Sequence, residues 1–348
     1  MNLDLTEEQA ELVQSFKRFF EKECPTSRVR AAEPLGFDRD LWDLTRGQGV
    51  LEMSMPKPAG GWGASLLDLS LIAEQHGRSL TPTPIIEAQT TARALANLPV
   101  AAAQTALSAM LSTDRLVTLA LRDERQDGAG LSLVPCGAIA DEVLFLRGDA
   151  LLIVEVSAVN RKVRPNVGGL PLADIATGGA TTLLTGAEAR TVFRRARDEW
   201  MVLTAAALVG LASRALELGC AYAVDRHQFG VPIATFQAIS HHLADNAAAI
   251  DGARLLAYEA AWSPEEVGEP HNMSRALPAM ALSFAAEVAR ESSTWSLHVH
   301  GGYGFMREYD VQLFFRRAKG WVNVLSDPRL LLHEVADRLY GPVPTWLD

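Results

Sequence analysis

The sequence predicts an α+β chain of three consecutive domains: an N-terminal helical domain, a small middle antiparallel β domain and a C-terminal domain resembling a four-helix bundle. Three observations carry this. The first 112 or so residues hold helix-start signals and helical spacing, with little strand pattern. Near Leu116 the pattern switches to short β-prone runs punctuated by turn dipeptides. From Asp198 onward the chain is again helical, beginning with a stretch that is apolar or small at almost every position before Arg214. The boundaries implied are 1–113, 114–195 and 196–348.

In the first domain, Thr6-Glu7-Glu8-Gln9 has capping-box spacing and opens a helix carrying Leu12, Phe16, Phe19 and Phe20, which stops near Pro25. A second helix is expected around Asp40 to Gly49. After the glycine-rich loop Gly60-Gly61-Trp62-Gly63, Ser65 with Asp68 starts a helix running to Gly77. Ile85 to Leu98 and Ala101 to Leu111 also have helical character. The β-prone runs are Val117–Leu121, Val143–Leu146, Leu151–Val156 and Thr181–Leu184, separated by Asp127-Gly128, Gly148-Asp149 and Gly168-Gly169.

A helix that is greasy all round belongs inside a bundle, which places Asp198–Asp225 at the centre of the third domain. Gly230 then reads as the glycine that ends this helix, Pro232 as a block to its continuation, and Thr235 as the N-cap of the next. Ile239, Leu243, Ala247 and Ile250 give that next helix its buried face. Further helices are expected over roughly 274–300, from Val311 through Arg316-Arg317-Ala318-Lys319, and after Ser326-Asp327-Pro328.

Composition narrows the class of function. The 348 residues are 48% hydrophobic and 21% charged, with a formal net charge of −10. That charge argues against nucleic acid or an anionic membrane surface as the main partner. No uninterrupted apolar span of membrane length is evident. Cys24, Cys136 and Cys220 are odd in number and lack metal-ligand spacing, so free thiols in a reducing cytoplasm are expected and no metal site is.

The chemistry concentrates between Asp225 and His242. Arg226, Phe229 and Gln237 are grouped around one interhelical turn, and they suit a planar ligand that carries phosphate: a guanidinium for oxygens, a ring for stacking, an amide for hydrogen bonds. A surface Arg, a packing Phe and a solvated Gln would give the same spacing. Arg-x-x-Phe-Gly-x-x-x-x-x-x-Gln, followed by His-Gly-Gly-x-Gly at His300 to Gly304, resembles the acyl-CoA dehydrogenase family along nearly the whole chain.

The resemblance implies FAD, with Arg226, Phe229, Gln237, Gly301 and Gly302 on the ADP half of a flavin held mainly by a neighbouring subunit. His300 stands before the glycine pair, where the family often has Gln or His. Two departures matter. The family's flavin-ring segment, of the type Thr-Glu-Pro-x-x-Gly-Ser-Asp, is replaced by Leu121-Arg122-Asp123-Glu124-Arg125-Gln126-Asp127-Gly128. The two positions that carry the base in the family's two branches fall on Trp200 and Leu325, neither ionisable. Glu199 is one residue off, about 100° round a helix, and is the remaining candidate base.

The resemblance therefore implies a degenerate, non-catalytic subunit of an acyl-CoA dehydrogenase of the kind found in actinobacterial steroid side-chain catabolism. It would be paired with a homologous catalytic subunit in an α2β2 assembly, act on a sterol side-chain CoA thioester and pass electrons to an electron-transfer flavoprotein. The alternatives are a self-sufficient homomeric dehydrogenase using Glu199 and a flavin-free structural or regulatory subunit.

Overall fold

The computed structural model describes residues 4–33, 35–122, 124, 130–266 and 272–341. The first part is helical: α1 (Glu7–Glu23), α2 (Thr26–Ala32), α3 (Arg39–Arg46), α4 (Val50–Ser54), α5 (Leu66–Arg78), α6 (Ile85–Ala96) and α7 (Ala101–Ser112). Both capping boxes form. The Thr6 hydroxyl accepts from the Gln9 amide while Gln9 answers to the Thr6 backbone, and Ser65 and Asp68 do the same at the head of α5. The helix expected over 40–49 is α3, which already stops at Arg46; a separate short helix, α4, starts only at Val50, after Gly49 takes φ 76°.

Seven strands follow: β1 (Val117–Leu119), β2 (Leu131–Val134), β3 (Glu142–Arg147), β4 (Ala150–Glu155), β5 (Arg161–Val163), β6 (Ala173–Ile175) and β7 (Thr181–Thr185). They make two sheets, ordered β1-β3-β4-β7 and β2-β6-β5. Pairing is antiparallel except between β1 and β3, which run parallel because the chain visits the second sheet between them. Alternation sorts the side chains. Val143, Phe145, Leu152 and Val154 pack between the sheets, while Leu144, Leu151 and Ile153 join the core shared with the helices.

The rest is α8 (Gly186–Asp225), a small hairpin of β8 (His227–Gln228) and β9 (Val231–Pro232), then α9 (Gln237–Glu266), α10 (Asn272–Val299), α11 (Val311–Trp321) and α12 (Pro328–Tyr340). The long helix begins at Gly186, well ahead of the boundary at 196. Residues 186–197 are mostly charged or small and half exposed, so no all-round apolar signal announces them. By length and composition α8 is apolar enough to cross a membrane, yet its apolar window is 72% buried against α5, α9 and α10. Backbone contact tightens that packing. A β-carbon on Gly210 would lie 1.8 Å from the Glu74 carbonyl oxygen of α5, and one on Gly77 would lie 1.8 Å from that of Ala207. Only glycine at both positions lets the two helices meet so closely.

Candidate functional site

The turn after α8 differs from its sequence reading. α8 ends at Asp225 with Arg226 extended, and Phe229 and Gly230 have φ 54° and 82°. They are the two central residues of a tight hairpin turn whose rungs pair His227 with Pro232 and Gln228 with Val231. Gly230 is thus a hairpin glycine rather than a helix terminator. Thr235 is not the N-cap of α9: its hydroxyl donates to the Pro232 carbonyl inside a 3-10 turn, and Phe236 separates it from the helix. The helix could be read from its apolar run, but a two-residue strand leaves no periodic signature.

The hairpin lifts Phe229 off the body. Its ring is 94% exposed, touching Phe236 edge-on at 6.1 Å. Arg226 and Gln237 are exposed as well, and neither side chain has a hydrogen bond or ion pair among the described residues. A small apolar cluster of Ala223, Ile233, Leu243 and Val299 ties the end of α8, the hairpin exit, α9 and the end of α10 into one corner. At that corner the His300 ring stacks on Tyr222 at 4.2 Å, and its Nδ1 lies 2.7 Å from the Ser296 carbonyl. His300 is only 7% exposed, and burial lowers its pKa. It shapes the corner from within. Gly301 and Gly302 follow it, and a β-carbon at either would meet nothing within 4 Å. The two motifs, far apart in sequence, therefore share one outward-facing surface of open backbone, a free guanidinium, a free amide and a bare ring.

The second candidate, Glu199, is enclosed. Its oxygens face Arg93 Nε at 3.1 Å and Arg195 Nε at 3.2 Å, and Arg93 also donates to the Ser54 carbonyl at 3.0 Å. A carboxylate shared between two guanidiniums is an anchor between α6 and α8. Its neighbour Trp200 is fully buried and donates from Nε1 to Glu87 Oε1 at 3.1 Å. Leu325 is buried just before α12.

Glu87 was not picked out from the sequence. It lies in the apolar helix Ile85–Ala96, where a lone acid is the available signal. Burial raises its pKa, and Cys136 beside it is pushed well up by burial and by Glu87 itself. Arg317 closes the group, held by its Nε on the Gly168 carbonyl at 2.7 Å and lowered to about 10 by burial. His76, held to about 3 by burial and by Arg317, has an unpartnered Nδ1. Together with Trp200 and Trp321 these side chains line an internal cavity of about 30 Å³ where the three parts of the chain meet. That is roughly the share of one water, too little for an acyl chain. Of the segment 121–128 that stands in the flavin-ring place, Asp123 and residues 125–128 lie outside the described residues. Among the described residues no His, Cys, Asp and Glu group has metal-site geometry, and all three cysteines are free.

Comparison with known proteins gives the same frame. The N-terminal domain of acyl-CoA dehydrogenases matches residues 6–107, and their C-terminal domain matches residues 194–321. The acyl-CoA dehydrogenase IpdE2 of Mycolicibacterium smegmatis is 30% identical over 346 residues, covering 97% of this chain and 100% of that protein. A variant of the Tcur3481-Tcur3483 steroid acyl-CoA dehydrogenase superposes with a TM-score of 0.85 at 25% identity, over 96% of this chain and 98% of that one. The ChsE4-ChsE5 complex from Mycobacterium tuberculosis has the same fold, with a TM-score of 0.84 at 24% identity over 99% of this chain and 100% of that one.

Proposed function

The chain belongs to the acyl-CoA dehydrogenase family, and from that premise we propose that it is the non-catalytic subunit of a heteromeric, FAD-dependent acyl-CoA dehydrogenase. In this reading it completes the ADP half of a flavin site held mainly by a homologous catalytic subunit, in an α2β2 assembly. The observation that carries the reading is the outward corner of Arg226, Phe229, Gln237, Gly301 and Gly302. Its polar groups are unspent, its ring is 94% exposed, and its glycines leave open space. Such a group has nothing to do within its own chain.

The donor set fits the ADP half of FAD. A guanidinium pairs with diphosphate oxygens, the ring stacks or covers the nucleotide, and the amide and glycine backbone donate hydrogen bonds. Bound flavin supplies a hydride acceptor. This chain's residues bind and orient its nucleotide end and keep water from it. The flavin-ring end fits poorly here: Leu121 and Arg122 stand where the family has small and hydroxyl-bearing residues, and Arg122 is committed to the Asn323 and Val324 carbonyls.

Proton abstraction falls to the partner in this reading. Trp200 and Leu325 stand at the two family base positions, and Glu199 is spent on Arg93 and Arg195. The names of the steroid acyl-CoA dehydrogenase and of the two-component complex among its structural relatives support a two-subunit enzyme. The first of these names also favours a sterol-derived acyl-CoA as the substrate; an electron-transfer flavoprotein as acceptor and a cytoplasmic setting rest on the family resemblance alone.

The test is flavin stoichiometry. Purified alone, the chain should hold little FAD; co-purified with its catalytic homologue it should carry one flavin per heterodimer. Stoichiometric flavin in the isolated chain would return the homomeric reading, and a colourless complex would return the flavin-free structural one.

A further inference from the structure

A second polar site lies further towards the N-terminal end of α8 than the cavity beside Trp200. A cleft of about 360 Å³ opens between the β domain and the first turns of α8, lined by Leu121, Arg122, Leu146, Arg190, Phe193, Arg194, Arg197 and Leu325. Half of these side chains are arginines, and no carboxylate is among the described lining residues. That bias runs against the chain, whose formal net charge is −10. Arg190, Arg194 and Arg197 follow at i, i+4 and i+7, the spacing that puts side chains on one face of a helix, where like charges repel.

The cations are held in place to different degrees. Arg122 donates to the Asn323 carbonyl at 2.7 Å and to the Val324 carbonyl at 3.0 Å. Arg197 makes a two-pronged pair with Glu334, both contacts at 2.8 Å. Among the described residues Arg190 has only a long contact to the exposed Asp149, at 3.8 Å. Arg194 has no hydrogen bond or ion pair among the described residues. Two fixed guanidiniums thus form the back of the cleft and two uncommitted ones its mouth. Phe193 and Leu325, 5% and 3% exposed, give it an apolar floor.

We infer that this cleft is an anion site for a diphosphate or phosphate ester, with Arg190 and Arg194 closing on the oxygens and Arg122 and Arg197 setting the field. The physical reason is that Arg122, Arg190 and Arg194 lie around one concavity with no close carboxylate among the described residues, Arg197 being paired with Glu334, and planar guanidinium forks match phosphate oxygens. The inference rests on the proposed function in one respect. Leu121–Arg122 and Leu325 mark the places that the family resemblance assigns to the flavin ring and to a catalytic base, so this chain's own cleft has exchanged redox chemistry for anion recognition.

The experiment is titration calorimetry on the full-length chain without flavin, at low ionic strength, with pyrophosphate, ADP and CoA as separate ligands. Binding is expected, and the double variant Arg190→Gln, Arg194→Gln should weaken it by about tenfold or more, the usual cost of losing charge-assisted contacts. Arg18→Gln, at an exposed arginine of α1 outside the cleft, should leave it unchanged. Tighter binding of CoA than of pyrophosphate would assign the anion to the nucleotide ester, and equal binding to the free diphosphate. Absence of binding by all three at millimolar concentration, or binding indifferent to the double variant in a protein of wild-type melting temperature, would overturn the inference. Neither result touches the flavin content of the two-subunit complex, so the failure of this site and the failure of the proposed function remain distinguishable.

Discussion

Phe229 gives the most direct test of the exposed corner, because its exposure makes two consequences diverge. At 94% exposure the ring contributes almost nothing to the folding of its own chain. Phe229→Ala should therefore change the stability of the isolated chain by no more than about 0.5 kcal/mol, the range for surface substitutions. In the complex the ring would be covered. A Phe side chain offers about 150–250 Å² of surface, so complete covering is worth roughly 4–6 kcal/mol at about 25 cal/mol per Å². A nucleotide covers one face and Ala keeps the β-carbon, which leaves a loss of about 1–3 kcal/mol, or roughly five- to 150-fold in flavin affinity. Phe229→Gly adds an independent sign. The residue sits at φ 54°, where glycine is at ease, so this variant should stabilise the isolated chain by a few tenths to about 1 kcal/mol while still weakening flavin. The assay is the fluorescence of released FAD on diluting the complex, beside urea unfolding of the chain alone. Unchanged flavin release in both variants would refute the role of the corner.

Arg226→Ala should weaken flavin retention in the complex by about ten- to a hundredfold, since a charge-assisted phosphate contact is worth about 1.5–3 kcal/mol; an unchanged dissociation constant would make Arg226 an ordinary surface residue. Glu199→Gln should leave turnover of the complex within a few-fold yet lower stability in urea by about 1–3 kcal/mol, because Arg93 loses its charged partner in a nearly buried setting. Loss of turnover by a factor on the order of 10² or more would make Glu199 the base. His76 predicts a pH effect. Its folded pKa of about 3 lies below the usual 6.5, so the stability it contributes is present above 6.5 and drains away as pH falls towards 3. At pH 5 the loss is about 2 kcal/mol, from about 1.5 pKa units at about 1.36 kcal/mol each. Glu87, raised by burial, works in the opposite direction, favouring the fold as it takes up its proton. The comparison of wild type with His76→Gln from pH 7 to 5 isolates the first effect, and parallel curves for the two would refute it.

What could be read from the sequence was what is local. Capping boxes act over three residues, and Thr6–Gln9 and Ser65–Asp68 stand as expected. The apolar run after Asp198 had no place but a bundle interior, whereas the charged turns before it, the very turns that carry the arginine cleft, gave no such signal. β2, β5 and β6 are three or four residues long, too short for alternation to stand out.

The middle of α8 shows most clearly why the rest was not legible. Glu199 and Trp200 are adjacent, and the step of about 100° between them decides which group each one meets. Both turn towards α6, but Glu199 reaches Arg93 at its far end and Trp200 reaches Glu87 at its start. The acid on α8 meets a base on α6, and the indole on α8 meets an acid. No spacing rule within either helix contains that information, because the partners are more than a hundred residues apart and are matched only by the packing of α6 against α8. In the proposed function, the family's base position has become a buried hydrogen bond from an indole to a carboxyl. The carboxyl beside it has become the counter-ion that keeps an arginine in the interior. On that reading the chemistry given up at that place went into holding α6 and α8 together, and the surfaces proposed for binding are the exposed corner and the basic cleft.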